Sequence, residues 1–284
     1  MNQLRRIAQL SAFLHGEREG TQGKSRATCV YHMQQENDQG ADTICKGCFG
    51  VKGRNMKSIV IIPAYNEEKS IEKTVEDIRK NAPEFDYVIV NDCSRDDTLK
   101  ICMEKGMHVL NLPVNLGIGG AVQTGYRYAY KNGYDYAVQF DGDGQHDARF
   151  LHEMRDYMAE HKLNMLIGSR FIEKEGFQSS GIRRFGIRYF SALIRLLTGT
   201  RITDPTSGMR MVDRDIIEIY AESYPKDYPE PESVVAILNM GKTVGEYPVV
   251  MRERTEGVSS ISPLRSIYYM IKVTLAILVE MLRK

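Results

Sequence analysis

The stretch SIVIIPAYNE, Ser58 to Glu67, decides the fold class of this chain. Its apolar run is typical of a buried strand, and the proline within it marks where the strand stops. The residues that follow place Ile71, Val75 and Ile78 at helical spacing. A near-continuous apolar strand followed by an amphipathic helix is the unit from which parallel sheets are built.

The same alternation of strand and helix recurs toward the middle of the chain. Further strands are predicted at YVIVNDCS, MHVLNL and YAVQFDGD, and helices at DDTLKICMEKG and IGGAVQTGYRYAYKNG. The pattern predicts a single α/β domain with a mostly parallel, Rossmann-like sheet flanked by helices. Ligands of such folds bind beyond the carboxyl ends of the strands. The polar residues that fall at those ends are Asn66, Glu67, Asp92, Asn115, Asp141 and Asp143.

Composition excludes several classes of protein. The 284 residues carry 38 Lys and Arg against 37 Asp and Glu, a net charge of +1. This balance gives no indication of nucleic-acid binding. No run of about 20 uncharged apolar residues predicts a membrane-spanning helix, and the amino terminus has no apolar segment suited to secretion. Five cysteines, an odd number, fit a reducing cytoplasm.

Residues 1–55 differ in character from the rest. They are polar and lack a sustained period, which is typical of disordered segments. The spacing of Cys29, His32, Cys45 and Cys48 could close a small zinc site. The alternative is that Met56 is the natural start and the leader is not native, and the sequence leaves both open.

The stretch VQFDGDGQHD, Val138 to Asp147, crowds like charges after an apolar run. At about 4 Å, two carboxylates repel by about 4 kcal/mol at an effective dielectric constant near 20. A solvated turn would account for the glycines. Two flanking carboxylates beside Gln145 instead indicate a site for a hard divalent cation, Mg²⁺ or Mn²⁺, held by Asp141 and Asp143.

The glycine-rich stretch LGIGGAVQTG resembles a phosphate-binding loop. Val122 stands where a dinucleotide fingerprint requires glycine or alanine, so a nicotinamide cofactor is not expected. Gly117, Gly119 and Gly120 are instead expected to open a helix close to a bound substrate. In VNDCSRDDT, Asp92 stands where it could hydrogen-bond a nucleotide base, although an ordinary capped turn would also use these residues.

Seven motifs in order resemble family 2 glycosyltransferases of the GT-A fold, in particular polyprenyl-phosphate sugar synthases such as dolichol-phosphate mannose synthase. They are PAYNE from Pro63, VNDCSRDDT around Asp92, NLGIGGA from Asn115, DGDGQH from Asp141, GSRF from Gly168, DPTSGMR from Asp204 and RTEGVS from Arg254. The resemblance covers residues 56–260, which are expected to form the catalytic domain.

The resemblance implies a role for each matching residue. The implied nucleotide and donor contacts are Pro63, Tyr65, Glu67, Asp92, Asp141, Gln145, Arg170, Arg254 and Ser259. Of these, Arg170, Arg254 and Ser259 would contact the diphosphate or the acceptor phosphate. Asp141 and Asp143 would bind the metal, Asp143 and Arg210 would act in catalysis, and Asp204, Ser207 and Arg210 would shape the sugar side. Asn91 and Ser260 depart from the family pattern, which has an acid and a lysine there.

The implied reaction is inverting transfer of a sugar from a nucleoside diphosphate sugar to a polyprenyl phosphate, for cell-envelope polysaccharide or glycolipid synthesis. The alternative acceptor, a glycan hydroxyl, would need a general base, for which Glu230 and Glu232 are candidates. These two acids would equally suit the start of a helix. A sugar nucleotidyltransferase and a non-catalytic nucleotide-sugar-binding scaffold are alternatives of other classes. The sequence does not distinguish the sugar, the nucleotide or the oligomeric state.

Two segments indicate a position at the inner face of the cell membrane. RRFGIRYFSALIRLLTG, from Arg183, sets arginines among large apolar residues, as in helices that meet anionic lipid head groups. The tail from Ile267 to Leu282 is apolar on almost every face, yet its 16 residues span only about 24 Å as a helix. Residues 261–284 are therefore expected to form a helix that lies on the membrane or contacts a small membrane protein. A core or dimer helix is the alternative.

Overall fold

The computed structural model describes residues 56–173, 181–226, 229–252 and 263–282, with the side chains of 181–183 and 263–267 excepted. All of these residues belong to one compact unit, Val51–Lys284. The candidate zinc ligands of the leader, and Arg254 and Ser259, lie outside the described residues.

Strands and helices alternate through most of the described chain. The strands are β1 Ser58–Ala64, β2 Phe85–Asn91, β3 Val109–Asn111, β4 Tyr136–Gln139, β5 Met165–Ser169, β6 Arg210–Asp213 and β7 Val244–Pro248. The helices are α1 Ile71–Asn81, α2 Thr98–Glu104, α3 Gly117–Lys131, α4 Leu151–Glu160, α5 Gly181–Thr198, α6 Arg214–Glu222, α7 Pro229–Asn239 and α8 Pro263–Leu282, with a short 3₁₀ turn at Ala148–Phe150 before α4.

The seven strands form one sheet in the order β3-β2-β1-β4-β6-β5-β7. Every neighbouring pair is parallel except those made by β6, which runs antiparallel to both β4 and β5. The predicted mostly parallel sheet is thus confirmed. Because β6 is reversed, its first residue, Arg210, lies level with Gln139 near the end of β4 and Ile167 in β5. The loop before β6 therefore joins the edge where the parallel strands end.

Both faces of the sheet are covered, as the apolar strands predict. Ile59 and Ile61 of β1 point into one core, which α3, α5, α6, α7 and α8 complete. Val60 and Ile62 point into the opposite core, which is closed by α1, α2 and α4. Successive side chains of a strand alternate between faces, so a strand buried on both sides must be apolar throughout. Polar side chains are therefore found mainly at the ends of these strands.

The carboxyl-terminal helix α8 shows two different faces. Val273 and Ile277 are buried in the first core, and the backbone carbonyl of Glu280 accepts a hydrogen bond from the Asn239 side chain of α7 at 3.1 Å. On the other side Leu275 and its neighbours are exposed. Among the helices that the structure describes, α8 included, none combines the length and hydropathy needed to cross a membrane.

Candidate active site

Asp92 joins three loops at the carboxyl edge of the sheet. Its backbone N–H donates to Ala64 O at 2.9 Å, which ties the end of β2 to the end of β1. Its Oδ1 accepts the N–H of Leu116 at 2.7 Å, and its backbone carbonyl accepts from Asn115 Nδ2 at 3.0 Å. Oδ2 makes no hydrogen bond to the described part of the chain. The buried carboxylate thus keeps one acceptor for a ligand.

The loop after β1 interlocks with the loop after β2. Asn66, whose φ is +59°, accepts the N–H of Arg95 at 2.8 Å and donates its own N–H to Ser94 Oγ at 3.0 Å. The N–H of Glu67 donates to Thr98 Oγ1 at 2.8 Å. Cys93 also has a positive φ, +57°. Non-glycine residues rarely adopt this conformation, and it clusters where function dictates the backbone.

The start of α3 packs directly on the segment that precedes α7. Gly117 has a φ of +76°, and it turns the chain into the helix. A Cβ on Gly119 would lie 2.2 Å from Pro225 O and 2.3 Å from Lys226 O, and the N–H of Gly119 donates to Lys226 O at 3.1 Å. The glycine-rich stretch does open a helix, and Gly119 also lets the backbone of another segment approach.

We expect Gly119→Ala to lower both thermal stability and turnover. Because backbone carbonyl oxygens occupy the space of the new methyl group, either α3 or the segment at Pro225 must shift. The loss in unfolding free energy should be about 1–3 kcal/mol, measured by urea denaturation. Gly186→Ala in α5 is the matched control, since its Cβ would meet only Met270 Sδ at 3.9 Å. The control should be neutral or stabilising, and equal losses in both variants would contradict the packing argument.

Asp141 lies where only glycine leaves room for it. A Cβ on Gly208, in the loop before β6, would stand 2.7 Å from Asp141 Oδ2 and 3.1 Å from Oδ1. The N–H of Asp141 donates to Nδ1 of the buried His146 at 3.0 Å. Because Nδ1 accepts, the neutral ring carries its proton on Nε2, which lies 3.6 Å from Asp141 Oδ2. The Asp141 carboxylate is therefore oriented by its surroundings while remaining partly accessible.

The acidic pair has the chemistry of a divalent-cation site. Asp143 is 8% exposed, and its Oδ1 accepts the N–H of Gln145 at 3.0 Å. Within the described ranges no three His, Cys, Asp or Glu side chains form a metal-binding group. Mg²⁺ is commonly held by one or two carboxylates together with substrate phosphates and water. The two carboxylates of this loop fit that pattern.

Arg252 fixes the acidic loop from the side. Its backbone N–H donates to Gln145 O at 2.8 Å. Its guanidinium lies 3.2 Å from both carboxylate oxygens of Asp77 and 3.1 Å from Asp147 Oδ1. Burial alone would raise the pKa of Asp147, but hydrogen bonds from Arg149 and the charge of Arg252 outweigh it and lower that pKa. The loop is thus held by the charged contacts that Arg149 and Arg252 make with Asp147.

A buried ion pair links the end of β5 to the loop before β6. Arg170 Nε and Nη2 each donate to Asp204 at 2.7 Å, and Asp204 is fully buried. Glu246 of β7 accepts the N–H groups of Thr203 and Asp204, both at 2.8 Å. Burial raises the pKa of Glu246. Arg170 is therefore positioned by Asp204, and Asp204 by Glu246.

Arg210 is a buried cross-link between the loop before β6 and the start of α7. It is 2% exposed, and it donates to Ser207 O at 2.8 Å and Pro205 O at 2.7 Å. Its Nη1 donates to Ser233 Oγ at 2.8 Å and to Glu230 O. Each bond goes to a carbonyl or hydroxyl oxygen. Arg210 thus holds in place the segment that carries the two candidate bases.

Three buried tyrosines cluster near Arg210. The rings of Tyr126, Tyr220 and Tyr224 meet at centroid distances of 4.8–5.5 Å, and Tyr224 OH donates to Gln139 Oε1 at 3.4 Å. Burial raises the pKa of all three phenols above the usual value. The three phenols form an uncharged buried cluster within the electrostatic influence of Arg210.

The raised tyrosine pKa values predict how the protein unfolds in alkali. Because the folded state keeps these phenols protonated, their contribution to stability is complete below about pH 10, the pKa of free tyrosine, and is lost as pH rises beyond it. We expect Tyr126, Tyr220 and Tyr224 to ionise only together with unfolding, followed by absorbance at 295 nm and far-UV circular dichroism. Tyr126→Phe should remove one phenol from the cooperative step. Ionisation of all three before helical signal is lost would contradict this.

Most of the residues predicted from the sequence meet at this edge. Pro63 is buried in β1, with its carbonyl 3.2 Å from where a Cβ on Gly142 would lie, and Tyr65 is 42% exposed just beyond the strand. Glu230 and Glu232 lie in the first turn of α7, where the helix dipole favours carboxylates. Both are partly buried. Their placement is compatible with either role that the sequence left open.

Several residues that shape the site were not predicted. Asp147 stands in the quoted acidic stretch and Arg252 lies two residues before the Arg254 motif, so both had a sequence signal. Asp77 had none, since it lies in a helix among other charged residues. Gly208 and Glu246 could not be recognised from the sequence, because their roles depend on contacts with Asp141 and Asp204 that only the folded chain makes.

The chain is similar to a known protein family and to characterised members of it. The model of the family described as Glycosyl transferase family 2 matches residues 59–220. The undecaprenyl-phosphate mannosyltransferase of Micrococcus luteus is 29% identical over 221 residues, which cover 73% of this chain and 88% of that protein. The UDP-N-acetylglucosamine–dolichyl-phosphate N-acetylglucosaminyltransferase of Methanococcus voltae is 29% identical over 210 residues, 67% of this chain and 83% of that protein.

The fold also matches a solved enzyme. The structure of glucosyl-3-phosphoglycerate synthase from Mycobacterium tuberculosis, in complex with Mn²⁺, uridine diphosphate and phosphoglyceric acid, superposes with a TM-score of 0.59. The two are 18% identical over 80% of this chain and 78% of that one. At this identity the match establishes the fold alone. It confirms the GT-A architecture that the seven motifs predicted.

Proposed function

Since this chain belongs to glycosyl transferase family 2, we propose that it transfers a sugar from a nucleoside diphosphate sugar to a polyprenyl phosphate with inversion at the anomeric carbon. The predicted resemblance to polyprenyl-phosphate sugar synthases is confirmed by relatives named for undecaprenyl-phosphate and dolichyl-phosphate acceptors. The names of those relatives specify different transferred sugars, mannose and N-acetylglucosamine. The similarity to them therefore does not identify the donor sugar.

The observation that carries the proposal is that the loop of Asp92 and the acidic pair, Asp141 and Asp143, lie at one edge of the sheet. Asp92 follows β2 and keeps one carboxylate oxygen for a ligand. Asp141 and Asp143 follow β4, which is separated from β2 in the sheet by β1 alone. A nucleotide whose base hydrogen-bonds to Asp92 would present its diphosphate toward the acidic pair. Contacts to a base and to a diphosphate at one edge of the sheet would suit a nucleotide-sugar donor.

Asp141 and Asp143 would hold a divalent cation, which offsets the negative charge that develops on a leaving diphosphate. Support for a metal comes from the carboxylate chemistry of the pair and from the Mn²⁺ of the solved relative. Arg252, through Gln145 O, would keep the loop in place. His146 would restrict the rotation of the Asp141 carboxylate.

The transfer step would be a single displacement. An oxygen of the acceptor phosphate attacks the anomeric carbon while the bond from that carbon to the diphosphate breaks, and the bonding electrons leave with the diphosphate. A phosphate acceptor is already ionised near neutral pH, so no base is needed. Arg170, held by Asp204, is proposed to contact one of the phosphates. Arg254 and Ser259 are proposed to act with it.

Two further parts of the function are proposed from the acceptor's chemistry. A polyprenyl chain resides in a bilayer, so the protein would act at the inner face of the cell membrane, in the cytoplasm. The product, a polyprenyl-phosphate sugar, would serve as a sugar donor in cell-envelope polysaccharide or glycolipid synthesis. A small membrane protein could serve as a partner at the same surface.

The test is release of nucleoside diphosphate from a panel of nucleotide sugars, with Mn²⁺ or Mg²⁺, with and without undecaprenyl phosphate. We expect release from one donor that requires both the lipid phosphate and the cation and stops when a chelator is added. Lipid-independent release onto an added glycan would favour the hydroxyl acceptor, with Glu230 or Glu232 as base. Release of pyrophosphate would identify a nucleotidyltransferase, and binding without any release would identify a scaffold.

A further inference from the structure

The outer face of α5 combines arginines with large apolar side chains. The inner face is buried through Ile187, Phe190 and Ile194. On the outer face Phe185 is 66% exposed and Leu196 is 81% exposed. The helix contains four arginines and no acidic residue. A helix that needs only to be soluble would normally mix both charges, so this composition requires a separate explanation.

Three arginines meet in a cleft beside this helix. The cleft has a volume of about 560 Å³ and is lined by Arg188, Ser191, Ala192, Arg195, Leu196 and Arg201. Ser191 Oγ donates to Ile202 O at 2.5 Å, which fixes the segment carrying Arg201 against the helix. No carboxylate in the described ranges pairs with any of the three guanidinium groups. Like charges gathered without a counter-charge favour an anionic ligand.

The helix α8 extends this face with apolar side chains. Tyr189 OH and Thr274 Oγ1 are 3.1 Å apart, and the rings of Phe190 and Tyr269 meet at 5.8 Å, so the two helices lie side by side. Nine of the eighteen exposed large apolar side chains that the described residues contain belong to these two helices. They are Phe185, Tyr189, Leu196, Tyr268, Ile271, Leu275, Leu278, Val279 and Leu282.

We propose that the cleft of Arg188, Arg195 and Arg201 binds the phosphate of an anionic membrane lipid, with the outer faces of α5 and α8 lying on the bilayer. Guanidinium groups pair with phosphate oxygens through two parallel hydrogen bonds. The apolar side chains beside the cleft enter the boundary between head groups and acyl chains, as in interfacial helices. A free phosphate would account for the arginines alone, but not for the exposed apolar side chains around them.

This lipid site deepens the proposed function and rests on it for its purpose, because a membrane-bound acceptor must be met at a bilayer. The site itself is distinct from the reaction centre, since none of its lining residues belongs to the acidic pair or to the loops around Asp92. Membrane binding can therefore be measured without donor or acceptor. A failure of either proposal then leaves the other testable.

The experiment is co-sedimentation of the full chain with phosphatidylcholine vesicles that contain or lack phosphatidylglycerol. We expect binding that requires phosphatidylglycerol. Arg195→Gln combined with Arg201→Gln should weaken it by about tenfold or more. Leu275→Ser combined with Val279→Ser should weaken it as well. Lys73→Gln combined with Lys80→Gln on α1 is the control with the same loss of charge, and it should bind like the unaltered protein.

Circular dichroism and thermal unfolding show whether each variant is folded. Equal weakening by the α1 control would mean that net charge, and not the cleft, governs binding, and would overturn the proposal. Equal binding to vesicles with and without phosphatidylglycerol would overturn it too. So would self-association, seen in analytical ultracentrifugation and abolished by the α8 variant, in a protein that does not bind vesicles.

Discussion

Asp143→Asn is expected to lower kcat for sugar transfer by about a thousandfold while leaving the protein folded. The substitution removes one negative charge from the pair that would hold the divalent cation. A bound cation contributes several kcal/mol to the transition state, and each 1.4 kcal/mol corresponds to about a factor of ten in rate. Asparagine keeps the oxygen that accepts the N–H of Gln145, so the loop should retain its conformation.

The measurement is kcat at saturating donor together with a Mn²⁺ titration followed by electron paramagnetic resonance. Loss of Mn²⁺ affinity in parallel with kcat would assign the effect to the metal. Asp156→Asn is the control, since this carboxylate is 70% exposed on α4, away from the site. A variant that keeps more than about a tenth of the activity, at unchanged Mn²⁺ affinity, would contradict the metal role of the pair.

Asp204→Ala is expected to lower the free energy of unfolding by about 3–5 kcal/mol, because it leaves a buried guanidinium without its carboxylate. Arg170 makes two hydrogen bonds of 2.7 Å to Asp204, and its side chain is 7% exposed. Chemical denaturation of the folded protein gives the value. Asp215→Ala is the control, because Asp215 is 63% exposed in its pair with Lys242 and should cost about 1 kcal/mol or less.

A double variant separates positioning from stability. Arg170→Met with Asp204→Leu removes both charges, and apolar replacements of buried ion pairs commonly restore stability. We expect the double variant to recover most of the unfolding free energy but not the transfer activity. Recovery of activity along with stability would contradict a phosphate contact by Arg170. A loss below about 1 kcal/mol for Asp204→Ala alone would contradict the buried pair itself.

The first half of the sheet could be predicted because its strands are buried on both faces. Such strands are largely apolar, and polar residues at or just beyond the last residue of β1, β2 and β4 mark their carboxyl ends. The later strands β5, β6 and β7 lie beyond the four strand–helix repeats that the sequence pattern identified, and two successive helices, α6 and α7, separate β6 from β7. The reversal of β6 depends on which strands it pairs with. That is a property of the assembled sheet and not of the four residues that form the strand.

The part of the site that lies at the ends of the parallel strands could also be predicted. Residues next to strand ends meet because parallel strands end at one edge, so Asp92, Asp141 and Asp143 were expected together. Contacts between distant segments could not be predicted in this way. Arg252 and Asp77 are 175 residues apart in the chain, and neither has a local pattern that points to the other. Arg210 shows the same limit, since only the structure reveals its bonds to the start of α7.

The most direct test of the proposed function is mass spectrometry of the lipid extracted after incubation with the active donor and cation. Undecaprenyl phosphate and undecaprenol, which lacks the phosphate, are supplied in separate reactions. We predict that the phosphate lipid gains the mass of one sugar residue and that the alcohol remains unchanged. A sugar attached to the alcohol, or found only on an added glycan, would contradict transfer to a polyprenyl phosphate.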